Sequence, residues 1–126
     1  MSQSVSRKTW VGFDLDRTLA ERHDWSGEEI GKPIPSMIAI VRKLLSQGKV
    51  CKIFTARADK PRTDPIYGEI ERWCVVNIGQ VLPITNAKDR LCEALYDDIA
   101  KQVVPNKGIL VEDQVEMLRR QLKAKS

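Results

Sequence analysis

Two acidic side chains, Asp14 and Asp16, follow the end of a short apolar run. That run, residues 10–13, is typical of a buried parallel strand, and the acids then fall in the loop after it. Ligands in open α/β sheets bind at this edge, beyond the carboxyl ends of the strands. Two neighbouring carboxylates repel each other, and a divalent cation with oxygen ligands would relieve the repulsion. The alternative is a strand end carrying two solvated acids.

Two further strand-like segments also end in polar residues. The apolar run 50–54 leads into Thr55 and Arg57, and a short apolar segment leads into the pair Asp97 and Asp98. Because the carboxyl ends of parallel strands meet at one edge of a sheet, we expect the three ends to converge. Three converging polar ends are stronger evidence for a site than any one of them.

Size and composition favour one globular domain. The chain has 126 residues, 42% of them hydrophobic and 30% charged, with a net charge of +4. Such a mild basic excess is no signature of nucleic-acid binding. The three cysteines form no C-x-x-C pair, which indicates a reducing compartment and predicts a cytoplasmic location. No apolar run approaches the length that spans a membrane.

Strand-like and helix-like segments alternate along the chain. We predict strands at 9–14, 50–54, 81–84, 95–96 and 109–111, and helices from Pro35 to before Gly48, after Pro65 to before Gly79, and from Asp113 onward, where Glu116 is placed for a capping box. A short helix or turn is expected at 86–92.

Alternation of this kind is typical of a parallel sheet with crossover helices. We therefore predict an α/β fold: a single Rossmann-like three-layer αβα domain over residues 1–126, with a mostly parallel sheet. Residues 1–8 are expected to be flexible, and residues 19–33, which are polar and rich in turn formers, to form a flap or loop over the strand end.

The polar segments resemble, in order and spacing, the four motifs of the haloacid dehalogenase superfamily. Residues 14–19 (DLDRTL) resemble its D-x-D-x-T-L motif, and residues 53–55 (IFT) its apolar strand ending in Ser or Thr. Lys88 fits the third motif, and residues 96–98 (YDD) fit the fourth. Without the resemblance, Lys88 would be interpreted as an ordinary surface lysine.

A narrower resemblance connects the chain to small phage and bacterial members of that superfamily. It rests on residues 53–57 (IFTAR), 81–88 (VLPITNAK) and 104–108 (VPNKG). Members of the superfamily often carry a cap domain in one of two insertion sites. Here the segments 19–49 and 58–85 have no room for one, so we predict no cap domain and an open site.

The resemblance implies phosphoryl transfer through an aspartyl-phosphate. Asp14 would be the nucleophile, and Asp16 the general acid and then the general base. Mg²⁺ would be held by the Asp14 carboxylate, the main-chain carbonyl of Asp16 and Asp98, with waters completing the shell. Asp97 would support the site through a water or by orienting the motif lysine, and Thr18 is a further supporting residue.

The same resemblance implies a phosphate-binding set. Thr55 would donate its hydroxyl, main-chain N–H groups near Ala56 would assist, and Lys88 would supply a point charge. Arg57 suits bidentate phosphate recognition, but pairing with Asp59 at the surface is an equal alternative.

The chain departs from the family pattern at two positions. Arg17 stands where Gly is common, and Ile99 stands where the subgroup often has Arg. The leading prediction is a Mg²⁺-dependent phosphatase for a phosphorylated substrate, with a nucleotide or nucleic-acid end among the possibilities. The alternatives are a metal- and phosphate-binding protein of low activity and, as a poorer match, a receiver domain. The oligomeric state stays open.

Overall fold

The computed structural model describes residues 8–23, 27 and 29–125. Its four strands form one parallel sheet in the order β3-β2-β1-β4. The strands are β1 (Trp10–Phe13), β2 (Val50–Phe54), β3 (Ile84–Thr85) and β4 (Cys92–Tyr96), and the helices are α1 (Pro35–Ser46), α2 (Ile66–Asn77) and α3 (Val111–Ala124), with a 3₁₀ turn at Ala56–Asp59. The predicted α/β fold with a parallel, Rossmann-like sheet is confirmed.

Helices α1 and α2 pack with the sheet in a single core. Val41 of α1 and Ile70 of α2 belong to the same buried cluster as Phe13 of β1 and Ile53 of β2. Pro35 starts α1 at a position where its missing N–H costs nothing. Gly48 follows the helix with a φ of +82°, the left-handed conformation that favours glycine. Proline and glycine in the sequence therefore fix where α1 begins and ends before strand β2.

The central strand, β1, is buried along its whole length. Gly12 lies where a Cβ atom would come within 2.6 Å of Leu95 Cδ2 and 2.9 Å of the Trp10 ring. A larger residue at this position would require the Leu95 and Trp10 side chains to move, since real Cβ contacts are not this short. The Trp10 ring lies next to Gly12, and its indole N–H donates to Asp89 Oδ1 at 2.8 Å.

A short irregular crossover joins β3 to β4. The six residues 86–91 lie between two strands that are separated in the sheet by β2 and β1. Parallel connections usually need a dozen residues or more, often including a helix. The prediction of a short helix or turn at 86–92 is met by a turn at residues 90–91, with no helix in this described segment. The Trp10–Asp89 hydrogen bond fastens the crossover against β1 instead.

Four predicted elements differ in extent from those observed. Strand β4 starts at Cys92, whereas the prediction covered only residues 95–96. Strand β3 starts at Ile84, directly after Pro83, because proline has no N–H to offer a ladder. Residues 109–111 form no strand, only the isolated bridge between Val103 and Leu110. Helix α3 starts at Val111 with Leu110 as its N-cap and no side-chain cap, so the predicted capping box was wrong.

The predicted flap, residues 19–33, has a structured base. Glu21 donates its N–H to the Lys32 carbonyl at 2.8 Å, and Ala20 pairs with Pro33. The indole N–H of Trp73 on α2 donates to the Gly31 carbonyl at 2.9 Å. Flap residues 24–26 and 28 lie outside the described residues, as do residues 1–7 of the predicted flexible start.

None of the three α-helices in the described ranges has the length and apolar character of a membrane-spanning segment.

Candidate active site

The turn after β1 fixes the position of Asp14. Its N–H donates to the Tyr96 carbonyl of β4 at 2.9 Å, and its Oδ1 accepts the N–H of Leu15 at 3.0 Å. Leu15 and Leu19, which flank the turn, are completely buried. The apolar side chains of the D-x-D-x-T-L segment are therefore anchors, while its acids face the sheet edge.

The same turn places Arg17 and Thr18 beside the acids. Arg17 has a φ of +71°, a left-handed conformation that costs a non-glycine residue about 1 kcal/mol. Its N–H donates to the Ala20 carbonyl at 2.7 Å, which closes the turn. The buried Thr18 hydroxyl lies 3.5 Å from Asp14 Oδ2. The positive φ of Arg17 thus gives a physical reason why glycine would suit position 17.

The structure brings the acids after β1 and β4 together. One carboxylate oxygen from each of Asp14, Asp97 and Asp98 lies within 4.8 Å of the other two. Arg17 Nε lies 3.4 Å from Asp98 Oδ2, at a largely exposed guanidinium. The Asp97 side chain also accepts the Ile99 N–H at 3.0 Å. Ile99 itself is exposed and lines the cavity in front of the acids.

Crowding of these acids changes the titration of Asp14. Burial, a hydrogen bond with Asp98 and the negative charge of Asp97 together raise the pKa of Asp14 from 3.8 to about 7. The Leu15 N–H opposes the rise. Asp14 therefore holds its proton up to near neutral pH unless positive charge reaches the cluster.

A cavity of about 400 Å³ opens in front of the acids. Thr55, which is buried, lines it together with Ala56 and Asn86. The Thr55 hydroxyl oxygen accepts the Arg57 N–H at 3.1 Å, which leaves its hydrogen available for donation. The Thr55 N–H donates to the Thr85 carbonyl at 2.9 Å, so pairing with β3 fixes its backbone.

Asp16 lines the same cavity as Asp14, and its carboxylate lies within a cluster of charged groups. Arg57 donates to both of its carboxylate oxygens at 2.8 Å, through Nε and a terminal nitrogen. Arg22 lies 3.8 Å from the same carboxylate. All three side chains are largely buried. The alternative in which Arg57 pairs with Asp59 is thus replaced by a bidentate pair with Asp16.

The structure does not bring Lys88 to the acids. Lys88 is exposed on the 86–91 crossover, and the residues that line the cavity do not include it. Burial raises the pKa of the Cys92 thiol, and the positive charges of Lys88 and Lys52 counteract part of that rise. The charge of Lys88 therefore acts on Cys92, at the start of β4.

Two residues near the site were missed from the sequence. Asn86 lines the cavity two residues before Lys88, and its short polar side chain directly after β3 was the available signal. Arg22 lies in the flap, and its approach to Asp16 depends on the antiparallel pairing of the flap base. No local pattern in the sequence indicates that contact.

Comparisons with known proteins give evidence about the fold of this chain and not about its activity. No protein-family model matches the chain, and no curated protein matches it. Among solved structures, a conserved protein from Bacteroides thetaiotaomicron superposes with a TM-score of 0.54, over 91% of this chain and 93% of that one. The two sequences are 17% identical, so the likeness shows a shared fold and nothing about activity.

The acid cluster fits a hard divalent cation by the chemistry of its donors. Three carboxylates within 4.8 Å of one another offer oxygen ligands of the kind that Mg²⁺ and Ca²⁺ take. Burial contributes most to the raised pKa of Asp14, and the neighbouring Asp98 and Asp97 side chains raise it further. A cation among these oxygens would lower that pKa and free Asp14 for chemistry.

Proposed function

We propose that the protein is a Mg²⁺-dependent phosphohydrolase of the haloacid dehalogenase type, with Asp14 as its nucleophile. The observation that carries the proposal is the meeting of Asp14 with Asp97 and Asp98, across 83 residues of chain, in one cavity with the Thr55 hydroxyl. A nucleophilic carboxylate, acidic metal ligands and a hydroxyl donor are what phosphoryl transfer through an aspartyl-phosphate requires.

The metal would be held by Asp14 and Asp98, with Asp97 as the third available carboxylate. The sequence-based preference for Asp98 over Asp97 stays a prediction, as does a role for the Asp16 carbonyl. When bound, the ion neutralises negative charge shared between the acids and a phosphate. Asp14 is then ionised at neutral pH and can attack.

The first proposed step is attack by an Asp14 carboxylate oxygen on phosphorus. The new oxygen–phosphorus bond forms as the ester bond breaks, and the leaving oxygen takes a proton from Asp16. In the second step Asp16 accepts a proton from water, the water oxygen bonds to phosphorus, and the bond to Asp14 breaks. Inorganic phosphate leaves, and both carboxyl groups return to their starting states.

Arg57 must change partner during this cycle. Both Asp16 oxygens accept from its guanidinium, so Asp16 is not free to protonate a leaving group in that arrangement. A phosphate at Thr55 offers Arg57 an alternative bidentate acceptor two residues away in the chain. Transfer of the guanidinium from Asp16 to the phosphate would couple substrate binding to release of the acid. Lys88 would contact the phosphate only after its side chain rotates from its present position towards the cavity.

A second candidate function is metal and phosphate binding with little turnover. The Asp16–Arg57 pair and the absence of Lys88 from the described lining of the cavity favour it, because both leave proposed catalytic groups out of place. Under this alternative the acid cluster still binds Mg²⁺, but no aspartyl-phosphate accumulates or turns over.

The test is hydrolysis of p-nitrophenyl phosphate by the full chain, with Mg²⁺ or with a chelator. Nucleotides and end-phosphorylated oligonucleotides then define the substrate class. We expect Mg²⁺-dependent release that Asp14→Asn abolishes and that Asp16→Asn reduces ~10²–10⁴-fold. Asp113→Asn, an acid-to-amide change on the exposed helix α3, is the matched control and should leave the rate unchanged.

Phosphate release that is equal in wild type and Asp14→Asn would overturn both the nucleophile and the phosphatase. Mg²⁺ binding, measured by calorimetry, without Asp14-dependent release on any substrate would favour the binding protein instead.

A further inference from the structure

Helix α3 carries an apolar face that the described chain leaves largely exposed. Its apolar positions Val111, Val115, Leu118 and Leu122 recur at spacings of four, three and four residues. Val115, Leu118 and Leu122 are 42%, 55% and 70% exposed, and no residue of the helix is buried. A soluble helix seldom leaves a continuous apolar stripe in water unless another surface covers it.

The spacing is that of a coiled-coil seam, in which apolar residues alternate every four and three positions. On one side of this seam lie Glu112 and Arg119, one heptad apart, and on the other lie Gln114 and Gln121. These flanking positions determine which partner and which orientation a coiled coil accepts.

An antiparallel pairing of two copies makes the flanks complementary. When Val115 of one helix packs against Leu118 of the other, Glu112 of each copy lies beside Arg119 of its partner. The contact occurs twice, because a two-fold axis repeats every contact. On the opposite side, Gln114 meets Gln121, which allows a side-chain amide pair. Each copy thus supplies the opposite charge that the other presents.

A parallel pairing lacks this match. It would set the acidic first half of α3, with Glu112, Asp113 and Glu116, beside the same half of its partner. The basic second half, with Arg119, Arg120 and Lys123, would likewise face itself. Like charges alongside one another cost free energy, so charge selects the antiparallel orientation.

We infer that the α3 seam, Val111, Val115, Leu118 and Leu122, is covered in solution by the α3 seam of a second copy of this chain in antiparallel orientation. Two heptads bury less than the ~800 Å² per partner of a standard interface. Val103 and Ile109 are two more exposed apolar side chains, by 51% and 44%, on the segment before α3. The expected dimer is therefore reversible, with a dissociation constant on the order of micromolar.

Sedimentation equilibrium of the full chain, over about 1–500 µM, tests the inference at concentrations that bracket a micromolar constant. Leu118→Lys puts a charge in the seam and should raise the dissociation constant by at least ~10-fold. Met117→Lys adds the same charge one residue away, outside the seam, where Met117 is exposed. It should change the constant by less than about two-fold. Far-UV circular dichroism confirms that both variants keep their helices.

A charge exchange tests the orientation. Glu112→Arg and Arg119→Glu should each weaken the dimer several-fold, because each places like charges together across the axis. The double variant restores both attractive pairs and should return towards wild-type affinity. Glu112 also pairs with Lys101 in its own chain at 3.0 Å, and only a contact between copies predicts rescue by the second change.

A monomer at every concentration would overturn the inference, as would a dimer that Leu118→Lys leaves intact. Equal weakening by Met117→Lys and Leu118→Lys would also contradict the seam. A double variant no tighter than its single variants would rule out the antiparallel orientation.

Discussion

The two acidic strand ends that meet at the site differ in how they are supported. Asp14 follows the central, fully buried strand β1, and Leu15 and Leu19 anchor its turn in the core. Asp97 and Asp98 follow the edge strand β4. From residue 86 to residue 125, every one of which is described, no residue is buried.

The two strand ends are therefore suited to different tasks, one to holding the nucleophile in place and the other to adjusting around an ion. A turn with buried anchors holds the proposed nucleophile in one place, which phosphoryl transfer needs. An acidic pair on an exposed edge, with few packing contacts, can adjust its oxygens around an ion. The comparison therefore predicts large, uncompensated effects at the β1 end and smaller effects, recoverable by metal, at the β4 end.

The largest contrast should appear in activity. Asp14→Asn is expected to lower kcat for p-nitrophenyl phosphate by at least ~10³-fold at any Mg²⁺ concentration, because the nucleophile is lost. Asp98→Asn removes one metal ligand and should lower activity at low Mg²⁺ while recovering at high Mg²⁺. Mg²⁺ titrations of both variants measure this. If Mg²⁺ restored the activity of Asp14→Asn, the predicted difference between the β1 end and the β4 end would be wrong.

The next contrast concerns stability. Leu19→Ala deletes a completely buried side chain next to the Asp14 turn and should cost about 3 kcal/mol of unfolding free energy. Ile99→Ala, beside Asp98, should cost less than ~0.5 kcal/mol, since Ile99 is 76% exposed. Urea denaturation gives both values. A large cost at Ile99 would show that the β4 end is packed in solution.

A third contrast follows from the raised pKa of Asp14. The folded protein holds this proton up to about pH 7, whereas the unfolded chain releases it near pH 3.8. The contribution of the protonated Asp14 to the free energy of unfolding is complete below pH 3.8. It is lost as pH rises through 7. Without metal at pH 8, Asp14→Asn should therefore be more stable than wild type by about 1–2 kcal/mol, after allowance for solvent screening.

Thermal melts in a chelator, at pH 8 and pH 4.5, measure this effect. The advantage of Asp14→Asn should shrink towards zero at pH 4.5, where wild-type Asp14 is protonated. Saturating Mg²⁺ at pH 8 should reverse the order by stabilising wild type alone. Identical melts at pH 8 would mean that the acids are not crowded in solution.

The smallest expected effect tests the turn itself. Arg17→Gly relieves the left-handed backbone, whereas Arg17→Ala keeps the strain, and both remove the exposed ion pair with Asp98. Arg17→Gly should be more stable than Arg17→Ala by about 1 kcal/mol. Chemical denaturation of the pair provides the measurement. Equal stabilities would mean that the turn relaxes out of this conformation.

Helices and strands whose ends are marked by proline, glycine or a change to polar residues could be predicted from the sequence. Residues 50–54 are observed as strand β2, and α1 lies between Pro35 and Gly48 as expected, because proline and glycine restrict the backbone locally. The third strand was placed three residues early, since its apolar run includes Pro83. The crossover of residues 86–91 could not be foreseen, because its path depends on the long-range Trp10–Asp89 bond.

The site was predictable where strand ends alone determine position. The Asp14 and Asp98 carboxylates meet because parallel strands share an edge, and that rule needs only the order of the elements. The partner of Arg57 was not predictable. Asp16 lies 41 residues away, and no periodic pattern carries information about such a contact.

The crossover between β3 and β4 has a consequence for the thiol at its far end. Its backbone is fastened on both sides of Lys88, where Ala87 donates to Thr85 Oγ1 and Asp89 accepts from Trp10. Lys88 can therefore reach a phosphate only by rotating its own side chain. Such a rotation would withdraw positive charge from Cys92 and make its thiolate scarcer. The alkylation rate of Cys92 should therefore fall when a ligand bound at the acid cluster draws the Lys88 side chain towards it.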